Sequence, residues 1–395
     1  MKLKIFLYFP VGWMVMFFYS CNSGLPDKTI NTEKNASLNA NQKLLKYAKR
    51  FSISENKLFK AVYLFGNLNI KDTTATYFFV KDSSWVPRKS KNTFVFKASC
   101  KKIASLSSLY TNMLCELGEI NRIAAIENID YYNNSSIINK HKEGNLAELS
   151  VNPEPDIEKT IELNPDIIFN FGMGNPGKGI NKKIIQAKIP MALIVDHLEE
   201  TPLARAEWIK FFAVFTNKSL KADSIFKVIE KNYVNLRHLA YNSKIQPSVF
   251  TEIKYGDVWY VPGGKSFAAN FLRDANANYI WKEDTNAGSL HLSFEKVFSK
   301  AQNADFWLNL SLLNSKNELF TLENRYSEFK AFKNGELYNN NKVKNDKGYS
   351  TYWESGIMYP DKILSDLILI FHPELKTKLL EKGHSTDFNY YKKLE

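Results

Sequence analysis

One long amphipathic stretch constrains the fold of this chain more than any other feature. From Ser219 to Tyr241, apolar residues recur at the three- and four-residue spacing of a helix. The apolar stripe consists of Ala222, Ile225, Phe226, Ile229, Tyr233, Leu236 and Ala240. Asn217 or Ser219 can cap its start, and Asn242 and Pro247 end it. At 1.5 Å per residue the helix would be roughly 34 Å long, about the width of a small domain.

Strands alternate with helices on both sides of this helix. The strands are predicted at 102–109, 122–126, 166–171, 190–195, 248–253, 306–310 and 337–338, and the helices at 110–117, 157–163, 181–187, 266–274, 294–301 and 360–371. The helix–strand unit at 158–170 resembles the one at 295–309. Such alternation implies mainly parallel sheets covered by helices. The sequence therefore predicts an α/β fold of two Rossmann-like lobes joined by one long rigid helix.

The 395 residues are enough for two domains with sizeable cores. Short β-type runs at 60–65, 76–80 and 93–96 predict an antiparallel β-hairpin extension that packs on the first lobe. The segment 254–262 is expected to be a loop. The predicted organisation is a signal peptide at 1–20, a lipid-proximal tether at 21–43, the β extension at 44–96, the first lobe at 97–216, the inter-lobe helix at 217–242 and the second lobe at 243–395.

The N-terminus has the pattern of an export signal. Lys2 and Lys4 precede an apolar run at 5–19, which is short for a transmembrane helix, and Ser20-Cys21 follows. A cysteine directly after a small residue is typical of a lipoprotein processing site, so Cys21 is predicted to carry lipid. A plain signal peptide with an incidental cysteine is the alternative. No later apolar segment is long enough to span a membrane.

The two remaining cysteines, Cys100 and Cys115, are predicted to be buried free thiols. The predicted strand and the helix that returns along it would place their Cα atoms about 15 Å apart. A disulfide bridges Cα atoms only up to about 7 Å apart.

The net charge of +12 favours anionic partners, but the lysines are scattered, which disfavours nucleic acid. The loop Gly172–Gly177 matches G-x-G-x-x-G after a predicted strand, with Asp196 further on, as in a dinucleotide site. Pro176 removes an N–H that such a site needs for the pyrophosphate. A flexible loop at the end of a strand is therefore the favoured interpretation.

The sequence offers no defensible catalytic or metal-binding pattern. The six histidines lack metal-ligand spacing, and no G-x-S-x-G is present. Instead, aromatic and cationic residues gather at the predicted sheet ends. The candidate ligand-binding residues are Tyr110, Tyr131, Arg205, Lys254, Trp259, Tyr260, His291, Tyr352 and Trp353. Aromatic walls with a few cations suit a flat, catecholate-like ligand that carries negative charge.

Several motifs carry a resemblance to a known family. They lie at 102–107, 163–168, 199–212, 259–266, 288–290, 353–356 and 371–375. From about Leu44 to the C-terminus, the chain resembles the solute-binding proteins of ABC importers for ferric siderophores and vitamin B12, whose lobes are joined by one rigid helix. The similarity is strongest to the lipoprotein branch of Bacteroidetes-type bacteria.

The resemblance implies a monomeric, non-enzymatic binding protein, lipid-anchored in the cell envelope on the periplasmic side. It would need no cofactor, and would capture an iron chelate, or alternatively cobalamin or haem, and deliver it to the transmembrane subunits of an ABC permease. Acidic residues on the lobes usually dock to the permease in this family. The loop Gly172–Gly177 lacks a glutamate, which leaves Glu199 and Glu200 as the candidates. An exported α/β hydrolase is the remote alternative.

Overall fold

Sheets of mainly parallel strands and one long helix organise the chain. The computed structural model describes residues 42–43, 45–66, 73–82, 87, 92–150, 155–172 and 182–395. The predicted signal peptide, the lipidation site Cys21, most of the predicted tether and most of the glycine-rich loop after Gly172 lie outside these residues.

The N-terminal extension is a five-stranded sheet in which the strands follow chain order. Its strands are β1 (Gln42–Lys43), β2 (Phe51–Glu55), β3 (Phe59–Phe65), β4 (Thr73–Val80) and β5 (Thr93–Phe96). Strands β1 to β4 pair antiparallel, whereas β4 and β5 pair parallel, so the antiparallel prediction is wrong for the last pair. The predicted tether also extends too far, because Gln42 and Lys43 already pair with β2.

The first lobe is built on a parallel sheet of order β10-β9-β6-β7-β8. Its strands are β6 (Ile103–Leu106), β7 (Ile123–Ile126), β8 (Ala147–Glu148), β9 (Ile167–Phe171) and β10 (Met191–Ile194). Its helices are α1 (Ser108–Glu116), α2 (Ser135–Lys142), α3 (Ile157–Leu163), α4 (Lys182–Gln186), α5 (Pro202–Ala206) and α6 (Ile209–Thr216).

Helix α6 forms an aromatic layer between this sheet and the N-terminal sheet. The ring of Phe215 lies 5.0 Å from that of Phe169 on β9 and 5.3 Å from that of Tyr77 on β4. The hydroxyl of Tyr77 also donates to the carbonyl of Met191 at 3.1 Å. Because α6 buries apolar side chains on both sides, the N-terminal sheet is an integral layer of the first lobe.

The long helix α7 runs without interruption from Ser219 to Tyr241, as the periodicity predicts. The predicted stripe is buried, except that Ile225 is only half-buried. Neither proposed cap is used: Lys218 is the N-cap residue and makes no side-chain cap, while Asn217 ends α6 with a left-handed φ of 59°. Helix α7 packs against α6 and against helix Pro360–Phe371 of the second lobe.

The second lobe contains a sheet of order β14-β11-β16-β17-β18, parallel except for its last pair. Its strands are β11 (Ser248–Thr251), β14 (Asn278–Tyr279), β16 (Phe306–Leu308), β17 (Leu337–Asn339) and β18 (Lys392–Lys393). Its helices are α8 (Phe267–Asp274), α9 (Phe294–Ala301), α10 (Lys316–Leu322), α11 (Lys330–Asn334), α12 (Pro360–Phe371) and α13 (Lys376–Glu381).

A small antiparallel sheet stands beside it in the order β12-β13-β15. Its strands are β12 (Lys254–Tyr255), β13 (Val258–Pro262) and β15 (Ser289–Leu292). The loop expected at 254–262 is therefore a hairpin. Gly256 takes a φ of 58° at its turn, a conformation that favours glycine.

The internal repeat seen in the sequence has a common structural basis. Asp166 opens β9 and accepts hydrogen bonds from the backbone N–H groups of Lys101 and Lys102 at 2.6 and 2.9 Å. Asp305 opens β16 and accepts from the N–H and hydroxyl of Ser248 at 2.9 and 2.7 Å. In each lobe, one aspartate thus ties the start of its own strand to the start of a central neighbour.

Both described cysteines are free, as predicted, with Cys100 buried and Cys115 half-buried. Burial raises the pKa of each thiol to about 12. In the part of the chain that the structure describes, no helix has the length and apolar character needed to cross a membrane.

Candidate functional site

Residues from the two lobes line an open pocket of about 280 Å³. It is lined by Ser108 and Tyr131 of the first lobe and by Tyr349, Ser350 and Trp353 of the second. We call the cavity that these five residues line the inter-lobe pocket.

The first-lobe wall lies at the carboxyl ends of β6 and β7. Ser108 begins α1 directly after β6, and Tyr131 ends the short helical turn Ile129–Tyr131 after β7. The side chain of Asn128 caps this turn by accepting from the N–H of Asp130 at 2.8 Å. Open α/β sheets bind ligands at the carboxyl ends of their strands, so this wall occupies the usual place for a ligand.

The second-lobe wall is held by local hydrogen bonds. The hydroxyl of Ser350 donates to the carbonyl of Asn340 at 2.6 Å and accepts from the N–H of Tyr352 at 3.1 Å. The π-helical turn Tyr352–Gly356 follows and leaves 57% of Trp353 exposed. Single π-helical turns occur frequently at functional sites.

Hydrogen bonds between the lobes fix the position of these two walls. The buried carboxylate of Glu354 accepts from the backbone N–H groups of Asn133 and Asn134 at 2.9 and 3.0 Å. The side chain of Asn345 donates to the carbonyl of Asp130 at 2.7 Å. The rings of Tyr131 and Tyr349 are also in direct contact, with their centroids 4.7 Å apart. Contacts within the protein therefore hold the two walls of the pocket in place.

The model of the family described as periplasmic binding protein matches residues 103–342, which span most of both lobes. The chain belongs to the periplasmic binding protein family. Members of this family bind solutes and are not enzymes. The two-lobed α/β fold class predicted from the sequence is confirmed, as is the resemblance to solute-binding proteins of ABC importers.

Relatives of this periplasmic binding protein include an uncharacterized lipoprotein of Methanocaldococcus jannaschii, 27% identical over 410 residues that span 96% of this chain and 94% of the relative. A possible iron-binding, periplasmic solute-binding protein of Staphylococcus epidermidis superposes with a TM-score of 0.53 at 17% identity. The superposition covers 70% of this chain and 100% of the Staphylococcus chain. A protein of an ABC-type Fe3+-hydroxamate transport system of Saccharomonospora viridis has a TM-score of 0.53 at 12% identity, with 70% and 95% covered. At these identities, the two solved structures show a shared fold.

Of the nine candidate ligand-binding residues, Tyr131 and Trp353 are brought together in the inter-lobe pocket. The sequence analysis missed Ser108, Tyr349 and Ser350. A signal for two of them exists, because Tyr349 and Ser350 belong to a polar, glycine-containing segment directly before Trp353.

Three candidates are core residues, so their interpretation as ligand-binding residues is wrong. Tyr110 is 1% exposed and donates its hydroxyl to Asp196 at 2.9 Å. Trp259 is 0% exposed and donates its indole N–H to the carbonyl of Thr251 at 3.1 Å. Tyr352 is buried against two other tyrosines. In the first two cases, the polar group finds its partner inside its own lobe, so the large apolar ring can be buried completely.

Both candidate cations, Arg205 and Lys254, form ion pairs with carboxylates. Arg205 donates from Nε and Nη2 to Asp196 at 3.1 and 2.8 Å, and its guanidinium lies 4.7 Å from the ring of Phe267 on α8. Lys254 lies 2.7 Å from the carboxylate of Glu323. Neither Arg205 nor Lys254 is among the five residues that line the pocket. The positive charge that the sequence analysis expected beside an anionic ligand is therefore not supplied by these residues.

Tyr260 and His291 lie outside the pocket. They face each other on the paired strands β13 and β15, with ring centroids 4.8 Å apart, and both are exposed. Their contact with a ligand stays a prediction.

Of the two candidate permease-docking residues, Glu199 is buried, so its interpretation as a docking residue is wrong. Its carboxylate accepts from the backbone N–H groups of Lys49 and Arg50 at 3.0 and 2.9 Å. Burial raises its pKa. Glu200 is half-buried, its carbonyl accepts from the side chain of Asn270 on α8 at 3.0 Å, and its docking role stays a prediction.

One acid beside the pocket was not singled out from the sequence. Glu127 follows β7, is buried, and accepts from the hydroxyl of Tyr132 at 2.7 Å and from the backbone of Ser108. Burial raises its pKa to about 7. Among the described residues, no group of three or more histidines, cysteines or acids is placed to hold a metal ion.

Proposed function

We propose that this chain is the substrate-binding component of an ABC importer and captures a ferric siderophore-type chelate in the inter-lobe pocket. The observation that carries the proposal is that residues from both lobes line one pocket. Tyr131, after the carboxyl end of β7, and Tyr349 and Trp353 of the second lobe contribute aromatic side chains to its lining. The lobes would then deliver the chelate to the permease.

The relatives support an iron-containing ligand. The Staphylococcus epidermidis protein is described as possibly iron-binding, and the Saccharomonospora viridis protein as part of a Fe3+-hydroxamate transport system. A pocket of about 280 Å³ is small for a whole chelate, so it would hold one face of the ligand. Cobalamin and haem are the alternative ligands in this class of protein.

We further propose that the lobes move little when the ligand binds. Bending α7 would break backbone hydrogen bonds that have no alternative partners. The proposed organisation is a first lobe at 97–216, the helix at 217–242 and a second lobe at 243–395. Hydrogen bonds of Glu354 and Asn345 connect the two lobes at residues next to the pocket in sequence.

The ligand is tested by a tryptophan-quenching titration of the full-length protein with ferric siderophores, cobalamin and haem. We expect saturable quenching by a ferric siderophore, because Trp353 lines the pocket. The Trp353→Phe variant keeps an aromatic face and should lose most of the quenching while retaining binding in calorimetry. If cobalamin or haem binds and no ferric complex does, the iron chelate is the wrong ligand.

We also propose that Cys21 anchors the chain to the cell envelope, in line with its lipoprotein relative. Cys21→Ala should move the protein from the membrane fraction to the soluble fraction, because the thiol is the predicted acceptor of the lipid. Immunoblots of separated fractions provide the measurement, with Cys100→Ala as the matched control. If Cys21→Ala stays in the membrane fraction as fully as the wild type, the proposed lipid anchor at Cys21 is wrong.

A further inference from the structure

A groove at the base of the first lobe is lined by charged groups of predominantly one sign. It has a volume of about 430 Å³ and is lined by residues of β5 and of the segments that precede β6, β9 and β10. We call this cavity the basal groove. Its charged lining residues are Lys97, Lys101, Lys188 and Asp166. Three ammonium groups and one carboxylate give this lining a net formal charge of +2.

The three lysines of the groove are free to contact a partner, because they are exposed and, among the described residues, have no carboxylate partner. Asp166 does not pair with them: its Oδ2 accepts from the backbone N–H groups of Lys101 and Lys102 at 2.6 and 2.9 Å, at the start of β6. The groove lysines differ in this respect from Arg205 and Lys254, which form ion pairs. Unpaired ammonium groups favour a partner that carries negative charge.

Exposed apolar side chains accompany these lysines. Val95 on the edge strand β5 lines the groove and is 45% exposed. Ile185 is 57% exposed, and its carbonyl accepts from the N–H of Lys188 at 3.0 Å. A small anion such as phosphate gains nothing from apolar surface, whereas a membrane interface accepts apolar side chains among its headgroups and lysines beside its phosphates. The combination therefore favours a lipid surface over a free anion.

The basal groove and the inter-lobe pocket lie at opposite ends of the first-lobe sheet. Lys101, Asp166 and Pro190 line the groove just before the amino ends of β6, β9 and β10. Ser108 and Tyr131 line the pocket after the carboxyl ends of β6 and β7. These four strands are parallel, so the two ends of the sheet face in opposite directions. A surface bound at the groove would leave the first-lobe wall of the pocket pointing away from it.

We infer that the basal groove docks the protein on a membrane surface that contains acidic phospholipids, with the inter-lobe pocket directed away from the bilayer. The setting of this inference rests on the proposed anchor at Cys21. Twenty residues separate Cys21 from Gln42, and such a segment spans at most roughly 70 Å, so the anchor alone sets no orientation. The lysines would select one orientation, in which the pocket is open to solutes. Near the surface of an acidic membrane, each lysine strengthens binding by about fivefold.

The test measures, by co-sedimentation, how the full-length Cys21→Ala protein, which lacks the proposed lipid site, binds to two kinds of vesicle. One kind is phosphatidylcholine, and the other contains equal parts of phosphatidylcholine and phosphatidylglycerol. The apolar run at 5–19 is present in every sample, so the difference between the vesicles measures the effect of headgroup charge. We expect tighter binding to the acidic vesicles, and a loss of about 10- to 100-fold in the triple variant Lys97→Gln, Lys101→Gln and Lys188→Gln.

A matched control removes the same charge from the second lobe. Lys296, Lys300 and Lys333 are exposed on α9 and α11, and their change to glutamine should weaken binding by less than about threefold. Thermal unfolding verifies that both triple variants are folded. If both variants lose the same affinity, the overall charge rather than the basal groove is responsible, and the inference is wrong. Release from acidic vesicles by inorganic phosphate at constant ionic strength would identify a small-anion site and would also overturn it.

Lysine acetylation of the vesicle-bound protein, measured by mass spectrometry, tests the orientation. We expect acidic vesicles to protect the three groove lysines, while Lys347, which is exposed two residues before the pocket residue Tyr349, stays reactive. Protection of Lys347 in place of the groove lysines would overturn the inference. Equal binding to both kinds of vesicle would overturn it as well. Neither result would change the ligand titration or the membrane fractionation, which test the proposed function separately.

Discussion

Replacing Glu207 with alanine is expected to lower the free energy of unfolding by roughly 3–5 kcal/mol, the usual cost of breaking a buried ion pair. The carboxylate is fully buried. It accepts from the backbone N–H groups of Lys46, Tyr47 and Ala48 at 3.2, 2.8 and 2.9 Å, and from the ammonium of Lys210 at 2.9 Å. Alanine would leave these donors without their acceptor around a fully buried position, and the N–H of Ala48 is itself buried.

Denaturant unfolding followed by tryptophan fluorescence measures this loss. Glu200→Ala is the matched control, because Glu200 lies in the same lobe but is only half-buried, and a change within about 0.5 kcal/mol is expected there. If Glu207→Ala and Glu200→Ala unfold at the same denaturant concentration, the N-terminal segment is not held in the way described here.

The hydrogen bonds that hold the N-terminal segment 46–50 are a feature that the sequence could not reveal. Glu199 and Glu207 together hold the backbone of residues 46–50, more than 140 positions earlier in the chain. No local pattern predicts such a contact, since any glutamate near a predicted sheet end is equally suited to a surface role. The interpretation of Glu199 as a docking residue failed for this reason: burial depends on a distant segment.

Local periodicity, in contrast, predicted the main elements well. The helix Ser219–Tyr241 follows directly from its apolar stripe, and the aspartates that open β9 and β16 indicated the repeated unit. The hairpin around Gly256 was missed although its turn residue was visible. Short strands beside a glycine turn resemble a loop when the third strand of their sheet, β15, lies about thirty residues further on and pairs with β13.

The candidate site was predicted in part, because composition does not distinguish a cleft from a core. Trp259 and Trp353 are both tryptophans next to predicted strand ends or turns, yet one is fully buried and the other is 57% exposed. The difference arises from packing: Trp259 lies against Phe250 and Trp307 inside the second lobe. These distances cannot be read from the sequence, so the candidate list included both buried core aromatics and exposed pocket aromatics.

Replacing Trp353 with alanine is expected to weaken ligand binding by about 10- to 100-fold, which corresponds to roughly 1.4–2.8 kcal/mol. Its indole is the largest exposed apolar surface among the pocket's lining residues, and removing it leaves the ligand without one aromatic wall. The fold should be little affected, because the side chain is 57% exposed and contacts the buried Tyr352 edge-on at 4.9 Å. Calorimetry with the ligand found in the titration measures the loss.

Tyr255→Ala provides the control for this experiment. Tyr255 is 84% exposed at the tip of the β12–β13 hairpin and is not among the residues that line the pocket, so its removal should leave the affinity unchanged. Tyr131→Ala removes the opposite wall and should also weaken binding, because the ligand must contact both lobes to be held between them. A ligand whose affinity is unchanged in both Trp353→Ala and Tyr131→Ala would bind elsewhere on the protein. Weakening in Trp353→Ala alone would place it on the second lobe rather than between the lobes.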